Sequence, residues 1–176
     1  MGTYRLVCHP DTPAGSVEFI EVRIERTADR LWLRYFVECD LNALELGKPS
    51  LAGRTDGLWQ HTCFEVFIGG NGYSEFNFSP TSQWAAYDFF GYRAEMRPRE
   101  MTEVPEIGCD ASETHFALEA EFGIGALKGN VALSVVIEEI DGTKSYWALV
   151  HPPGAPDFHH PTCFAARLPA PDSPCS

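Results

Sequence analysis

The sequence predicts an all-β protein, a single antiparallel β-sandwich of the jelly-roll type with about ten strands and little helix. Hydrophobic and polar residues alternate with a period of two along most of the chain, which is typical of half-buried strands. Clusters of turn-forming residues, such as Gly-Gly-Asn-Gly at 69–72, separate these segments. The 176 residues suit one domain. We place that domain at 1–168 and expect the Pro-rich residues 169–176 to form a disordered tail.

The clearest strands form an early hairpin. Within 16–26, Ile20, Val22 and Ile24 alternate with charged residues, and a turn at 27–29 leads into the alternating segment 31–38. The remaining predicted strands are Tyr4–Cys8, Cys63–Ile68, Tyr73–Ser79, Trp84–Phe90, His115–Phe122, Val131–Ile140, Ser145–His151 and Cys163–Leu168.

Helical patterns are weak by comparison. Asp40 can cap a short helix over 40–46, which the Gly-Lys-Pro sequence at 47–49 would end. The polar, proline-spaced stretch 96–109 predicts a long surface loop.

The charge of the chain restricts its partners. Its formal net charge is −12 and its pI is near 4.8, whereas nucleic acids and anionic membranes attract clustered Lys and Arg. We therefore expect neither nucleic acid nor membrane as a partner. A neutral polyhydroxylated ligand or a cationic one suits this balance better.

The cysteines and the N-terminus predict a cytoplasmic protein. Six scattered cysteines include no C-x-x-C pair, which favours reduced, mostly buried thiols. Residues 1–10 lack the order of a signal peptide, and no apolar run approaches the ~18 residues of a membrane helix. The oligomeric state has no signature in the sequence.

Three polar residues share one face of the predicted hairpin around 69–72. Phe64 and Phe76 belong to its apolar faces, and the two registers that bring those faces together pair Glu65 with Glu75 or Glu65 with Asn77. Both registers place the two carboxylates and the amide on one face, because side chains alternate along each strand.

The following strand adds an aromatic platform to this prediction. If Asp88 faces as Glu75 does, Trp84 lies beside Asn77, with Arg93 at the end of the strand. An indole can cover the apolar face of a sugar ring while carboxylate and amide oxygens accept its hydroxyl protons. The pattern predicts a sugar site on an exposed sheet face.

Three motifs in this region carry a family resemblance: Trp-Gln-His-Thr-Cys-Phe-Glu-Val-Phe-Ile at 59–68, Tyr-Ser-Glu-Phe-Asn-Phe-Ser-Pro at 73–80 and Trp-Ala-Ala-Tyr at 84–87. The sequence resembles carbohydrate-binding module family 9 and the wider DOMON-like superfamily. The segment at 151–160 resembles a bacterial cytosolic branch of that group. The resemblance implies a β-sandwich whose members bind sugars in some families and haem in others.

The resemblance also implies an aromatic clamp and optional cofactors. Trp84 matches the clamp best, with Trp147 or Trp59 as a possible partner. Some sugar-binding members hold calcium, but this sequence has no D-x-D-x-D loop. Haem needs an axial Met or His; Met96, Met101 and His151 are available without a haem-specific spacing. We therefore expect no cofactor, with calcium and haem kept as alternatives.

Other constellations admit two interpretations. Glu65 and Glu75 form the carboxylate pair that a glycosidase requires, or they are simply hydrogen-bonded carboxylates. Asp157, His159 and His160 could hold a metal, although adjacent histidines on an extended chain point apart, and a structural loop is the expectation. Asp157, His160 and Trp147 are also candidates for the rim of the ligand face.

The sequence therefore predicts a non-catalytic domain that binds a carbohydrate or another small polar ligand. The predicted ligand-binding residues are Trp84, Glu65, Glu75, Asn77 and Arg93, with no catalytic residue and no metal ligand. The alternatives are a glycan hydrolase using Glu65 and Glu75, and a domain that binds haem or another apolar cofactor.

Overall fold

Thirteen hydrogen-bonded strands form one curled sheet in the computed structural model, which describes residues 1–171. The strands are β1 (Gly2–Cys8), β2 (Val17–Thr27), β3 (Arg30–Cys39), β4 (Gly53–Arg54), β5 (Cys63–Gly70), β6 (Gly72–Phe78), β7 (Gln83–Phe89), β8 (Arg97–Pro98), β9 (Glu106–Ser112), β10 (His115–Gly123), β11 (Asn130–Glu138), β12 (Lys144–Ala148) and β13 (Ala166–Arg167). Short 3₁₀ turns lie at Leu41–Ala43, Leu58–Gln60 and Pro161–Cys163.

Strand β1 joins the two layers of the sandwich. Residues 2–6 of β1 pair with β2, whereas Val7 and Cys8 pair with β12. The strand order is β4-β7-β6-β5-β11-β12-β1-β2-β3-β10-β9. The pairing is antiparallel except between β4 and β7. The sheet thus folds over itself at β1, with β2, β3, β10 and β9 in the first layer and β12, β11, β5, β6 and β7 in the second.

The main core lies between these layers. Alternate residues of β2 and β3 fill it from the first layer, and Phe64, Val66, Phe76 and Phe78 fill it from the second. The ring centroids of Phe76 and Phe122 lie 4.7 Å apart across it. This interlayer packing is the burial that period-two alternation predicts.

The outer face of the second layer is also partly covered. One small apolar cluster forms where Phe158 and Cys163 pack on Phe67. A second forms where Leu58 packs with Tyr87 and neighbouring residues. The segment 152–164 and the turn Leu58–Gln60 therefore act as two partial covers, and the gap between them leaves a pocket.

The predicted all-β sandwich is confirmed, including the hairpin of β2 and β3. The prediction of a loop over 96–109 is wrong in part, because this stretch contains β8 and the beginning of β9 at the sheet edge. The helix expected at 40–46 is a single 3₁₀ turn, with the Asp40 side chain accepting from the Asn42 backbone N–H. The strand expected at 163–168 is reduced to β13.

The predicted tail falls partly beyond the structure. Residues 172–176 lie outside the described residues, and 169–171 carry no regular structure. Within residues 1–171, no helix is long and apolar enough to cross a membrane.

Candidate functional site

A pocket of about 400 Å³ opens on the outer face of the second layer. Its walls combine aromatic rings with a few ionisable groups. The lining residues are Trp59, Glu65, Glu75, Phe89, Arg93, Met96, Val136, Tyr146, Pro156, Phe158 and His159. A concave, mainly apolar lining with a few polar groups is typical of small-ligand sites.

The floor of the pocket carries the carboxylates predicted from the sequence. Glu65 on β5 pairs with Asn77 on β6 on one side and with Ser134 on β11 on the other. Glu65 is 2% exposed, Glu75 4% and Asn77 0%. The face is therefore a covered floor rather than an open sheet surface, because the two covers exclude most of the solvent.

Hydrogen bonds satisfy one oxygen of each carboxylate. The Asn77 side-chain amide donates to Glu75 Oε1 at 2.7 Å, and the Ser134 hydroxyl donates to Glu65 Oε2 at 3.2 Å. Glu65 Oε1 is buried and has no partner at hydrogen-bond geometry in the described chain. The neighbouring Cys63 thiol is close enough to lower the pKa of Glu65. Glu75 Oε2 lies 3.9 Å from His159 Nε2, too far for a hydrogen bond.

Burial makes both carboxyl groups weak acids. It raises the pKa of Glu65 well above its ordinary value, and repulsion from Glu75 adds to the effect. It raises the pKa of Glu75 to about 7, although the hydrogen bond from Asn77 opposes the change. Two buried carboxyl groups whose charges repel each other resist full ionisation at neutral pH.

Trp84 does not belong to this site. It pairs with Phe78, lies in the interlayer core and is 8% exposed. The prediction that it stands beside Asn77 is wrong because Asp88 faces as Ser74 does, not as Glu75 does. Asp88 remains on the core side because Arg99 donates to it at 2.8 Å at the end of the strand.

Trp59 supplies the indole at the pocket instead. It lies in the 3₁₀ turn before β5 and is 40% exposed. Its ring meets Tyr87 edge-on, with centroids 6.0 Å apart. The family resemblance implied Trp59 only as a partner of Trp84. The position of Trp59 directly before the strand that carries Glu65 is the sequence signal for its place at the pocket.

Arg93 lines the pocket, but its charge is already paired. Its Nη2 donates to Asp157 Oδ1 at 2.8 Å, and the Tyr92 hydroxyl donates to the other oxygen. Although burial works in the opposite direction, these hydrogen bonds lower the pKa of Asp157. Asp157 therefore anchors Arg93 at the pocket wall and is not itself a lining residue.

His159 forms a wall of the pocket rather than a metal site. Its ring lies 5.1 Å from the ring centroids of both Phe67 and Phe89. Tyr73 accepts the Arg93 backbone N–H, and its hydroxyl is 2.7 Å from His159 Nδ1. Burial lowers the pKa of His159 to about 4, and the nearby Arg93 charge adds to this effect.

The remaining rim candidates lie elsewhere. His160 caps the turn Pro161–Cys163, next to Tyr92, and is not a lining residue. The prediction of Trp147 at the rim is wrong: its ring lies in the core, because β12 turns Tyr146 outward in its place. Within residues 1–171, no three His, Cys, Asp or Glu side chains are grouped to hold a metal ion.

The candidate haem ligands are separated in the structure. Met96 lines the pocket, whereas Met101 packs against the core. His151 Nε2 lies 2.8 Å from the carbonyl oxygen of Val7, away from the pocket. Of the three residues, Met96 alone lines this pocket.

Comparison with known proteins supports the same fold. No family model matches the chain, and no curated protein matches it. A solved structure described as a "putative carbohydrate-binding protein" from Bacteroides uniformis is similar, with a TM-score of 0.61 and 15% identity over 93% of this chain and 84% of that one. A carbohydrate-binding module of family 9 from Caldicellulosiruptor kristjanssonii, in complex with cellotriose, gives a TM-score of 0.50 and 7% identity over 81% of this chain and 69% of that one.

These likenesses establish a fold like that of carbohydrate-binding module family 9, as the sequence motifs implied. At such low identity they establish the fold alone, since one fold hosts many functions. The function must therefore be argued from the pocket.

Proposed function

We propose that this protein is a non-catalytic carbohydrate-binding domain whose ligand occupies the pocket between Trp59 and the floor of Glu65 and Glu75. One observation carries the proposal: a cavity of about 400 Å³ combines an accessible indole with two buried carboxylates, one of which has an unpartnered oxygen. The indole covers the apolar face of a sugar, and the carboxylates accept its hydroxyl protons.

The dimensions and the polarity of the pocket support this assignment. About 400 Å³ lies within the range of small-ligand pockets, and burial of the floor strengthens each hydrogen bond that a ligand makes. Asn77 and Ser134 fix the two carboxylates before a ligand arrives. Such preorganisation lowers the entropic cost of binding.

The test is a calorimetric titration with cellotriose. Trp59→Ala should lower the affinity by at least tenfold, about 1.4 kcal/mol, without an appreciable change in melting temperature, because the ring is 40% exposed. Trp32→Ala is the matched control, since Trp32 is half-buried on the other face of the first layer. Retained affinity in Trp59→Ala, or equal losses in both variants, contradicts the proposal.

A second function has one observation in its favour. The pKa of Glu75, near 7, suits a general acid, and Glu65 on the neighbouring strand is the second carboxyl that glycoside hydrolysis uses. Incubation with a panel of chromogenic glycosides decides between binding and hydrolysis. Turnover that disappears in Glu75→Gln establishes the hydrolase, and its absence leaves the binding domain.

A further inference from the structure

The two carboxylates of the pocket floor each present one oxygen without a hydrogen-bond donor. These are Glu65 Oε1 and Glu75 Oε2, whose partner oxygens are bonded to Ser134 and Asn77. Both residues are almost fully buried and both line the cavity. A buried acceptor without a donor is destabilising, so a ligand that donates to these two oxygens gains binding energy.

The floor also lacks a balancing positive charge. Within residues 1–171, neither Glu65 nor Glu75 forms an ion pair with Lys or Arg. Arg93 is the nearest wall cation, and its charge lowers the pKa of both carboxyl groups. It forms no direct ion pair with either, because Asp157 binds its guanidinium. His159 faces Glu75 but is neutral at pH 7. The ionisable groups that interact with the pair are Tyr35, Cys63, Tyr73, Tyr87, Arg93 and His159.

An ammonium group fits this environment better than a hydroxyl group. A hydroxyl donates a single proton and brings no charge, so it does not offset the cost of ionising these buried carboxyl groups. An ammonium donates three protons and one positive charge, enough to reach both free oxygens and neutralise one carboxylate. The aromatic lining, including Trp59 and Phe158, attracts cations through the faces of its rings.

We propose that the sugar bound in this pocket carries a free amino group, whose ammonium lies between Glu65 Oε1 and Glu75 Oε2. The inference rests on the proposed carbohydrate-binding function and narrows its ligand to amino sugars. N-acylation of the amine removes both the charge and two of the three donors. The acetylated sugar should therefore lose the advantage of the free amine.

The test compares three ligands that differ only at one carbon of the ring: glucose, glucosamine and N-acetylglucosamine. In calorimetric titrations at pH 7, glucosamine should bind at least tenfold more tightly than glucose, and N-acetylglucosamine no more tightly than glucose. Glu75→Gln and Glu65→Gln should each reduce the glucosamine-to-glucose affinity ratio towards one. Glu113→Gln, an exposed carboxyl in the β9–β10 turn, should leave the ratio unchanged.

A second measurement follows the proton that the carboxyl pair loses. An arriving ammonium favours ionisation of Glu75, so glucosamine binding should release protons to the buffer, whereas glucose binding should not. Titrations in two buffers of different ionisation enthalpy count these protons. A purely structural role for Glu75 would not produce this difference.

The outcomes separate the two proposals. Equal affinities for glucose and glucosamine overturn the amino-sugar inference and leave carbohydrate binding in place. Binding of cyclohexylamine, an amine without hydroxyl groups, in the absence of any sugar binding overturns the carbohydrate function, and the inference about sugars is overturned with it. Absence of binding by all four compounds overturns both.

Discussion

Replacement of Glu75 by glutamine should stabilise the ligand-free protein, and increasingly so as the pH rises. The buried carboxyl has a pKa of about 7 in the folded protein and an ordinary value of 4.5. Below pH 4.5 it is protonated in both states and contributes no pH-dependent term. Between 4.5 and 7 only the unfolded chain ionises, so the wild type loses stability, and above 7 the full loss persists.

The magnitude follows from these two pKa values. A displacement from 4.5 to about 7 at about 1.36 kcal/mol per pH unit corresponds to about 3 kcal/mol. Glutamine avoids this cost and keeps an oxygen that can accept the Asn77 amide. Removing the charge also lowers the repulsion that raises the pKa of Glu65, which acts in the same direction. For a domain of this size we expect a rise in melting temperature of roughly 6–12 °C at pH 8.

His159 makes the variant more informative than the wild type alone. Its pKa falls from 6.5 to about 4 on folding, so the stability linked to this ring is lost as the pH falls from 6.5 towards 4. The slopes from Glu75 and His159 oppose each other over nearly the same pH range. Because burial also raises the pKa of Glu65, a contribution that falls with rising pH remains in both proteins. Glu75→Gln should therefore lose less stability than the wild type between pH 4.5 and 7.

Urea unfolding at pH 4, 6 and 8 provides the assay. The free energy of unfolding of Glu75→Gln should exceed that of the wild type by little at pH 4 and by about 3 kcal/mol at pH 8. Glu113→Gln, at an exposed position, is the control and should follow the wild type. A difference that is the same at pH 4 and pH 8 would show that burial does not raise the pKa of Glu75, and the reasoning about the pocket floor would fail.

Three further predictions test the packing around the site. Trp84→Ala should lower the free energy of unfolding by about 3–5 kcal/mol because the indole fills the interlayer core, and urea unfolding measures this change. Unchanged stability together with lost sugar binding would show that Trp84 belongs to the ligand site. Gly72→Ala should destabilise the protein more than Gly142→Ala in the same assay. Both glycines have φ of +87°, but a Cβ at Gly72 would overlap the backbone carbonyl oxygen of Phe89, whereas Gly142 faces open space. Asp157→Asn should release Arg93 and speed amide hydrogen exchange in 152–164; unchanged exchange would contradict the anchoring role. The stability that the wild type gains from the Asp157 carboxylate should be lost as the pH falls below 3.8, because the pKa of this group is lowered in the folded protein.

Local patterns were sufficient for much of this molecule. Alternation located most of the strands, and the β5–β6 turn placed Glu65, Glu75 and Asn77 on one face in either register, because both registers preserve the parity of side-chain direction. The register with Glu65 opposite Asn77 is the one that forms.

The next strand shows where local reasoning fails. The polar side chain of Asp88 suggested that it faces outward with Glu75. A polar residue near the end of a strand can instead find hydrogen-bond donors on the core side, and Ser74 and Arg99 donate to Asp88 there. Assigning Asp88 to the outer face placed Trp84 in the predicted pocket instead of the core. Parity transmits such an error to every residue of the strand.

The sequence by itself determined the β-sandwich and the shared face of two carboxylates and an amide, because both follow from periodicities within one or two strands. Only the tertiary structure decided that Trp59 rather than Trp84 supplies the indole, and that the segment 152–164 closes over the sheet to bury the floor. It also decided that Asp157 holds Arg93. These contacts join residues far apart in the chain, and such contacts depend on how whole elements pack rather than on any local pattern.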